Sequence, residues 1–68
     1  MINGWFCVGY KVDNGSKVEL WDMFVLAPTI SSAKWMTLEE CEKYHPKAKI
    51  TIEYARKISE EEMYNAVN

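Results

Sequence analysis

Two apolar-rich runs, Trp5 to Val12 and Val18 to Leu26, flank Asp13-Asn14-Gly15-Ser16. Near this tetrad the runs alternate apolar and polar, and far from it both parities are apolar. Asn-Gly between alternating runs predicts a hairpin, because both residues tolerate positive φ. Side-chain pairing predicts a register in which Val12 faces Val18, so that Lys11 faces Glu19 and Asp13 faces Lys17. Tyr10 then faces Leu20, and Trp21 lies across Gly9. One face of the hairpin reads Phe6, Val8, Tyr10 and Val12 with Val18, Leu20, Phe24 and Leu26. The other reads Trp5 and Cys7 with Trp21, Met23 and Val25. Asp22 falls among the apolar residues of the first face, opposite Val8. A bend, a hydrogen-bonded capping role or a different register would each accommodate it.

Ala27-Pro28 ends the second run, since proline cannot donate to a ladder. Thr29 to Trp35 reads either as a loop with one helical turn after Ser31 or as a short strand. Thr37-Leu38-Glu39-Glu40 has the form of a capping box and predicts a helix over 38–45, ended by Pro46. Its apolar side is Leu38, Cys41 and Tyr44 or His45. Ala48 to Tyr54 alternates as a third strand, with Ala48, Ile50, Ile52 and Tyr54 inward and Lys49, Thr51 and Glu53 outward. Ser59-Glu60-Glu61-Glu62 is a second capping box, starting a helix whose apolar members are Met63, Tyr64, Ala66 and Val67. That helix is only two turns long and is expected to fray or to dock on something. The expected fold is α+β: a single domain over 1–68, with a small antiparallel sheet in β-β-α-β-α order and helices packed on one face.

One sheet face can be covered by such helices. The second apolar face of the hairpin then needs another protein. The composition sharpens this expectation. A chain of 68 residues buries a smaller share of its surface than a large domain, yet 49% of these residues are apolar, with three Trp, four Tyr and two Phe. Trp, Tyr and Met are the residue types that anchor protein interfaces. The formal charge of -2 supplies no basic stripe for phosphates, so direct nucleic-acid binding is disfavoured. Acids cluster at Glu39-Glu40-Glu42 and Glu60-Glu61-Glu62, where helices are expected to start and the helix dipole favours them.

Candidate chemistry is sparse. Cys41 and His45 have the i, i+4 spacing of two metal ligands on one helix face, with Cys7 as a third, but structural zinc wants four. Cys41 as a core residue and His45 as a helix cap are the simpler assignments. Cys7 and Cys41 both fall on predicted buried faces, where thiols are inert, and no group is placed to orient the imidazole. Adjacent glutamates such as Glu39 and Glu40 point about 100° apart on a helix and do not converge on one bond. The three glycines, Gly4, Gly9 and Gly15, form no phosphate loop. No catalytic motif and no cofactor is implied. Two cysteines make no disulfide framework, and Met-Ile-Asn-Gly-Trp has neither the basic start nor the apolar run of a signal peptide, so a cytoplasmic protein is expected.

In layout the chain resembles small phage-encoded inhibitors of bacterial defence, the anti-CRISPR type. The resemblance rests on size, acidity, the lack of an active site, and a hairpin followed by Ser31-Ser32-Ala33-Lys34, a short helix and the strand Ala48–Tyr54. It implies a bacterial, phage-encoded protein that blocks a nucleic-acid-handling complex. No functional residue carries over, because such inhibitors share no common fold. The residues themselves predict a non-enzymatic protein-binding module. Its anchors would be Trp5, Trp21, Met23, Val25 and Trp35, and the acids Glu39, Glu60 and Glu61 would steer it to a basic partner. A self-associating structural or regulatory protein, paired across a two-fold axis through the same hairpin face, is the competing expectation. A Cys/His metal-binding domain is the third.

Overall fold

The computed structural model describes residues 2–67. Strands β1 (Gly4–Asp13) and β2 (Val18–Ala27) form the expected hairpin, followed by helix α1 (Ile30–Tyr44), strand β3 (Lys49–Ile58) and helix α2 (Glu60–Val67). The sheet order is β2-β1-β3, with both pairings antiparallel. The α+β class and the β-β-α-β-α order are as expected. β1 is central, so β2 and β3 are both edge strands, joined by a crossover through α1.

The hairpin register differs from the expected one by a single residue. Asp13 pairs with Val18, Val12 with Glu19, Tyr10 with Trp21 and Gly9 with Asp22. Turn chemistry decides it. Asn14 N donates to Lys17 O at 3.1 Å, so the turn closes on that pair with Gly15 and Ser16 at its tip. Gly15 alone takes positive φ, at 95°, and Asn14 does not. Glycine takes such a φ without the steric cost that other residues incur, so the tip of the hairpin settles on Gly15. The Asn14 carboxamide oxygen then accepts from Lys17 N at 2.9 Å and Ser16 N at 3.2 Å. These local bonds outweigh the two exposed charge pairs that suggested the other register, each worth only a fraction of a kcal/mol to about 1 kcal/mol.

A one-residue slip moves every side chain of β2 to the opposite face. Met23 and Val25 therefore join Phe6 and Val8 beneath α1, while Val18, Leu20, Phe24 and Leu26 share the other face with Trp5 and Cys7. Asp22 no longer intrudes on the core; it stands beside Gly9 on the uncovered face.

Helix α1 begins eight residues before the expected start. Thr29 is its N-cap, with the hydroxyl accepting from Ser32 N at 3.1 Å. Thr37 lies inside the helix, fully buried, and its hydroxyl donates to Ala33 O at 2.8 Å. The capping-box pattern at Thr37 is thus a mid-helix threonine satisfied by its own helix. Ala33, Thr37 and Cys41, four residues apart, form the stripe that meets the sheet. His45 closes the helix, its N–H donating to Cys41 O at 2.8 Å, and Tyr44 is exposed.

The main core layer lies between α1 and the sheet, while Cys7 and Ile58 are buried on the opposite face. Phe6, Val8, Val25, Ala27 and Ala33 make one half; Tyr10, Val12 and Cys41 make the other, with Met23 and Ile52 packed against both. β3 carries a bulge: Tyr10 pairs with Ile52 but Gly9 pairs with Tyr54, leaving Glu53 as the extra residue. The bulge turns Tyr54 out of the core face, where strict alternation would place it, and onto the uncovered face. Ser59 caps α2 as expected, accepting from Glu62 N at 3.0 Å. α2 otherwise touches the fold sparsely, and its Arg56–Glu62 ion pair is exposed. The expectation for the Val67 side chain lies outside the described residues. No described helix is long and apolar enough to cross a membrane.

Candidate interaction site

Two features of β2 single it out. The first is its backbone. Pairs alternate along an antiparallel ladder between hydrogen-bonded and non-hydrogen-bonded. Counting from the bonded Asn14–Lys17 pair, Glu19, Trp21, Met23, Val25 and Ala27 direct their N–H and C=O groups to β1. Val18, Leu20, Asp22, Phe24 and Leu26 direct theirs to the free edge. The second is its side chains. Those same five residues face away from α1, and Leu20 is 74% exposed and Leu26 44%.

The other edge is guarded. β3 carries Lys49, Glu53, Arg56 and Lys57, and its ladder is broken by the bulge at Glu53. Charges and bulges are the devices that keep an edge from pairing with another chain. β2 has no bulge: its pairing with β1 runs unbroken from Gly4–Ala27 to Asp13–Val18, it contains no Lys and no Pro, and its charges are the acids Glu19 and Asp22.

Along this edge run two open grooves. One, of ≈500 Å³, lies between β2 and α1 and is lined by Trp5, Phe24, Leu26 and Met36, with Glu39, Glu40 and Lys43 on the helix side. Lys43 is 3.6 Å from Glu40, which leaves Glu39 as the unpaired acid of that rim among the described residues. The second groove, of ≈490 Å³, lies over Gly9 and is lined by Leu20, Trp21, Asp22, Glu53 and Tyr54. A side chain at Gly9 would close it: an added Cβ would sit 2.1 Å from Cε1 of Tyr54, whose ring lies across the glycine. The expected aromatic over Gly9 was Trp21; the bulge and the register give that place to Tyr54. The neighbouring Cys7 thiol raises the Tyr54 phenol pKa, and the Asp22 carboxylate raises it further.

The expected anchors are therefore only partly brought together. Trp5, Met23, Val25 and Glu39 gather at the β2–α1 groove, but Val25 is buried and belongs to the core rather than to an open surface. Trp21 borders the second groove, but the register pairs it with Tyr10 and so turns its half-exposed side chain to the α1 face rather than to the uncovered face where it was expected. Trp35 is exposed on the back of α1, opposite the Ala33-Thr37-Cys41 stripe. Glu60 and Glu61 lie in the first turn of α2, outside both grooves. Leu20, Phe24, Leu26, Met36 and Tyr54 were missed as surface anchors. Only the Gly15-Ser16 turn, read as the tip of the hairpin, would have revealed the first three.

The Cys/His set does not assemble. Cys41 lies under α1, whereas Cys7 points from the opposite face of β1, and the described residues hold no group of three or more potential ligands. Burial raises the Cys41 thiol pKa, with the neighbouring Tyr10 hydroxyl acting against that shift. No protein-family model matches this chain, and no match is found among curated proteins or solved structures.

Proposed function

We propose that this chain is a non-enzymatic protein-binding module that takes an extended segment of another protein against the β2 edge. The observation that supports this is the contrast between the two edges. One sheet presents a bulged edge that carries both lysine and arginine and an unbroken edge whose only charges are acids, and the second flanks its free row of backbone donors and acceptors with large exposed apolar side chains. Strand addition draws affinity from such a row and specificity from pockets for alternate side chains.

Charge indicates the kind of partner. Glu19, Asp22 and Glu39 line the edge and its groove, and no described lysine or arginine pairs with them. Pairing two copies through β2 would bring these acids together, whereas a segment bearing Lys and Arg would complement them. A basic, nucleic-acid-handling protein fits that description. The proposal extends to a phage-encoded inhibitor that blocks a bacterial defence nuclease complex sterically, inside the cell.

The test is affinity capture from bacterial lysate with the wild-type chain and with the Leu20→Lys/Leu26→Lys variant, each checked for mass by light scattering. A stoichiometric prey lost with the edge variant, but kept with Glu60→Gln/Glu61→Gln, supports the proposal. A prey indifferent to the edge variant refutes it. A stable dimer without prey moves the assignment to self-association. Full nuclease activity of the captured complex in excess protein removes the inhibitor extension alone.

A further inference from the structure

The groove over Gly9 has a chemistry of its own. Across the sheet, Asp22, Gly9 and Tyr54 lie in one row, because Gly9 pairs with Asp22 on one side and with Tyr54 on the other. The glycine leaves a floor without a side chain. The Tyr54 ring leans over that floor and its exposed side faces solvent. Asp22 is close enough for its charge to act on both Tyr54 and Tyr10. Glu53, set out of register by the bulge, adds a second carboxylate to the lining. The ion pairs of the described residues are Lys43–Glu40 and Arg56–Glu62, so neither Asp22 nor Glu53 is held in an ion pair, although Lys11 lies on the same face.

We infer that this groove receives the guanidinium of an arginine side chain from the partner. Aromatic faces attract a cation through the ring quadrupole, and guanidinium stacks on them as well as hydrogen-bonding a carboxylate in bidentate fashion. A compact ammonium ion uses the carboxylate but stacks poorly. A neutral side chain would gain neither the attraction to the carboxylates nor that to the ring. The groove adjoins the free edge at Leu20 and Asp22, so an added strand would carry its arginine to it. This inference rests on the protein-binding proposal for the source of the arginine, but the groove itself can be tested without the partner.

The experiment is amide NMR titration of the full chain with Nα-acetyl-arginine methylamide, its neutral citrulline isostere and the lysine analogue. The expected result is a saturable shift centred on Gly9, Asp22 and Tyr54, with arginine binding about tenfold tighter than citrulline and measurably tighter than lysine. Asp22→Asn, at an exposed position, should weaken arginine binding about five- to tenfold without unfolding the chain. Equal binding of citrulline overturns the inference, as does equal binding of lysine, an unaffected Asp22→Asn variant, or shifts spread evenly over all acidic residues. Capture of a partner lost with the β2-edge variant but untouched by Asp22→Asn also overturns it, while leaving the protein-binding proposal standing. Localised arginine binding with no capturable partner does the reverse.

Discussion

Gly9→Ala is a substitution whose sign should depend on one other residue. An alanine Cβ at this position would lie 2.1, 2.5 and 2.7 Å from three atoms of the Tyr54 ring, distances no carbon pair tolerates. The obstruction is a side chain rather than backbone, and Tyr54 is 47% exposed, so the ring can swing away without opening the core. The cost is the contact it leaves. A tyrosine buries roughly 150–250 Å² when fully covered, so a half-covered ring gives up at most about 100 Å². At about 25 cal/mol per Å² that is an upper limit of about 2.5 kcal/mol, and with part of the contact recovered elsewhere a loss of about 1–2 kcal/mol follows. Against it stands the gain from replacing a strand glycine, roughly 0.5–1 kcal/mol. Net destabilisation by Gly9→Ala should be about 1 kcal/mol in the wild-type chain. In a Tyr54→Ala background the obstruction is gone and only the gain remains, so Gly9→Ala should then stabilise by roughly 0.5 kcal/mol. A double-mutant cycle by urea denaturation measures the difference directly. For a domain expected to have about 3–10 kcal/mol in all, the shift in midpoint is easily read. An equal effect of Gly9→Ala in both backgrounds would refute the placement of the Tyr54 ring.

Three further outcomes follow from the core and from the tether of α2. Thr37→Val should change stability by less than about 1 kcal/mol, because it removes one local hydrogen bond and keeps the shape; Thr37→Ser should cost more, about 1–1.5 kcal/mol, because it empties a fully buried methyl site. Thermal unfolding of the two variants gives the order, and Ser more stable than Val would contradict it. Burial holds the Cys41 thiol above its ordinary 9.0 and the Tyr10 phenol above its ordinary 10.0, so the folded state keeps protons that the unfolded chain has already released. Their contribution is whole below the unfolded values and is lost as pH rises through the folded ones, so the urea midpoint should fall above pH 9.0, and less steeply in Cys41→Ala. A flat or rising midpoint there would count against a buried thiol. Glu62→Gln removes the partner of Arg56 and should speed amide exchange in α2 while leaving the global unfolding midpoint in place, since the pair is exposed.

What could be read in the sequence depended on the range of the forces involved. The elements themselves were legible because their signals are local: Asn14-Gly15 for the turn, alternation for the strands, Ser59 with Glu62 for the second helix start. The first helix was misplaced because Thr37-Leu38-Glu39-Glu40 satisfies the capping pattern in composition while its hydroxyl is taken by Ala33 O. The true cap, Thr29, follows a proline and precedes Ile30 and two serines, a stretch with mixed propensities. The faces of β2 were misassigned because charge pairs were allowed to set the register, and their weak attraction yields to a glycine that must sit at one turn position. Tyr54 was misassigned because a bulge leaves no mark in an alternating pattern. Its cause lies across the sheet, in the bare backbone of Gly9 that admits an aromatic ring.

These misreadings share one consequence for the site. A strand apolar on both parities has two possible faces to the core, and only the turn decides between them. With Gly15 at the tip, Met23 and Val25 complete the layer under α1, and Leu20, Phe24 and Leu26 are left outside. The outward set shares its parity with the backbone groups that point to the free edge, so the exposed side chains and the unused donors and acceptors belong to the same residues. A shift of one position would have buried Leu20 and Leu26 and turned Trp21, Met23 and Val25 outward, with their own backbone groups freed to the edge, because face and hydrogen-bonding direction alternate together along a strand. The turn therefore sets the core of the fold and, with it, which side chains accompany the free backbone groups that strand addition would use.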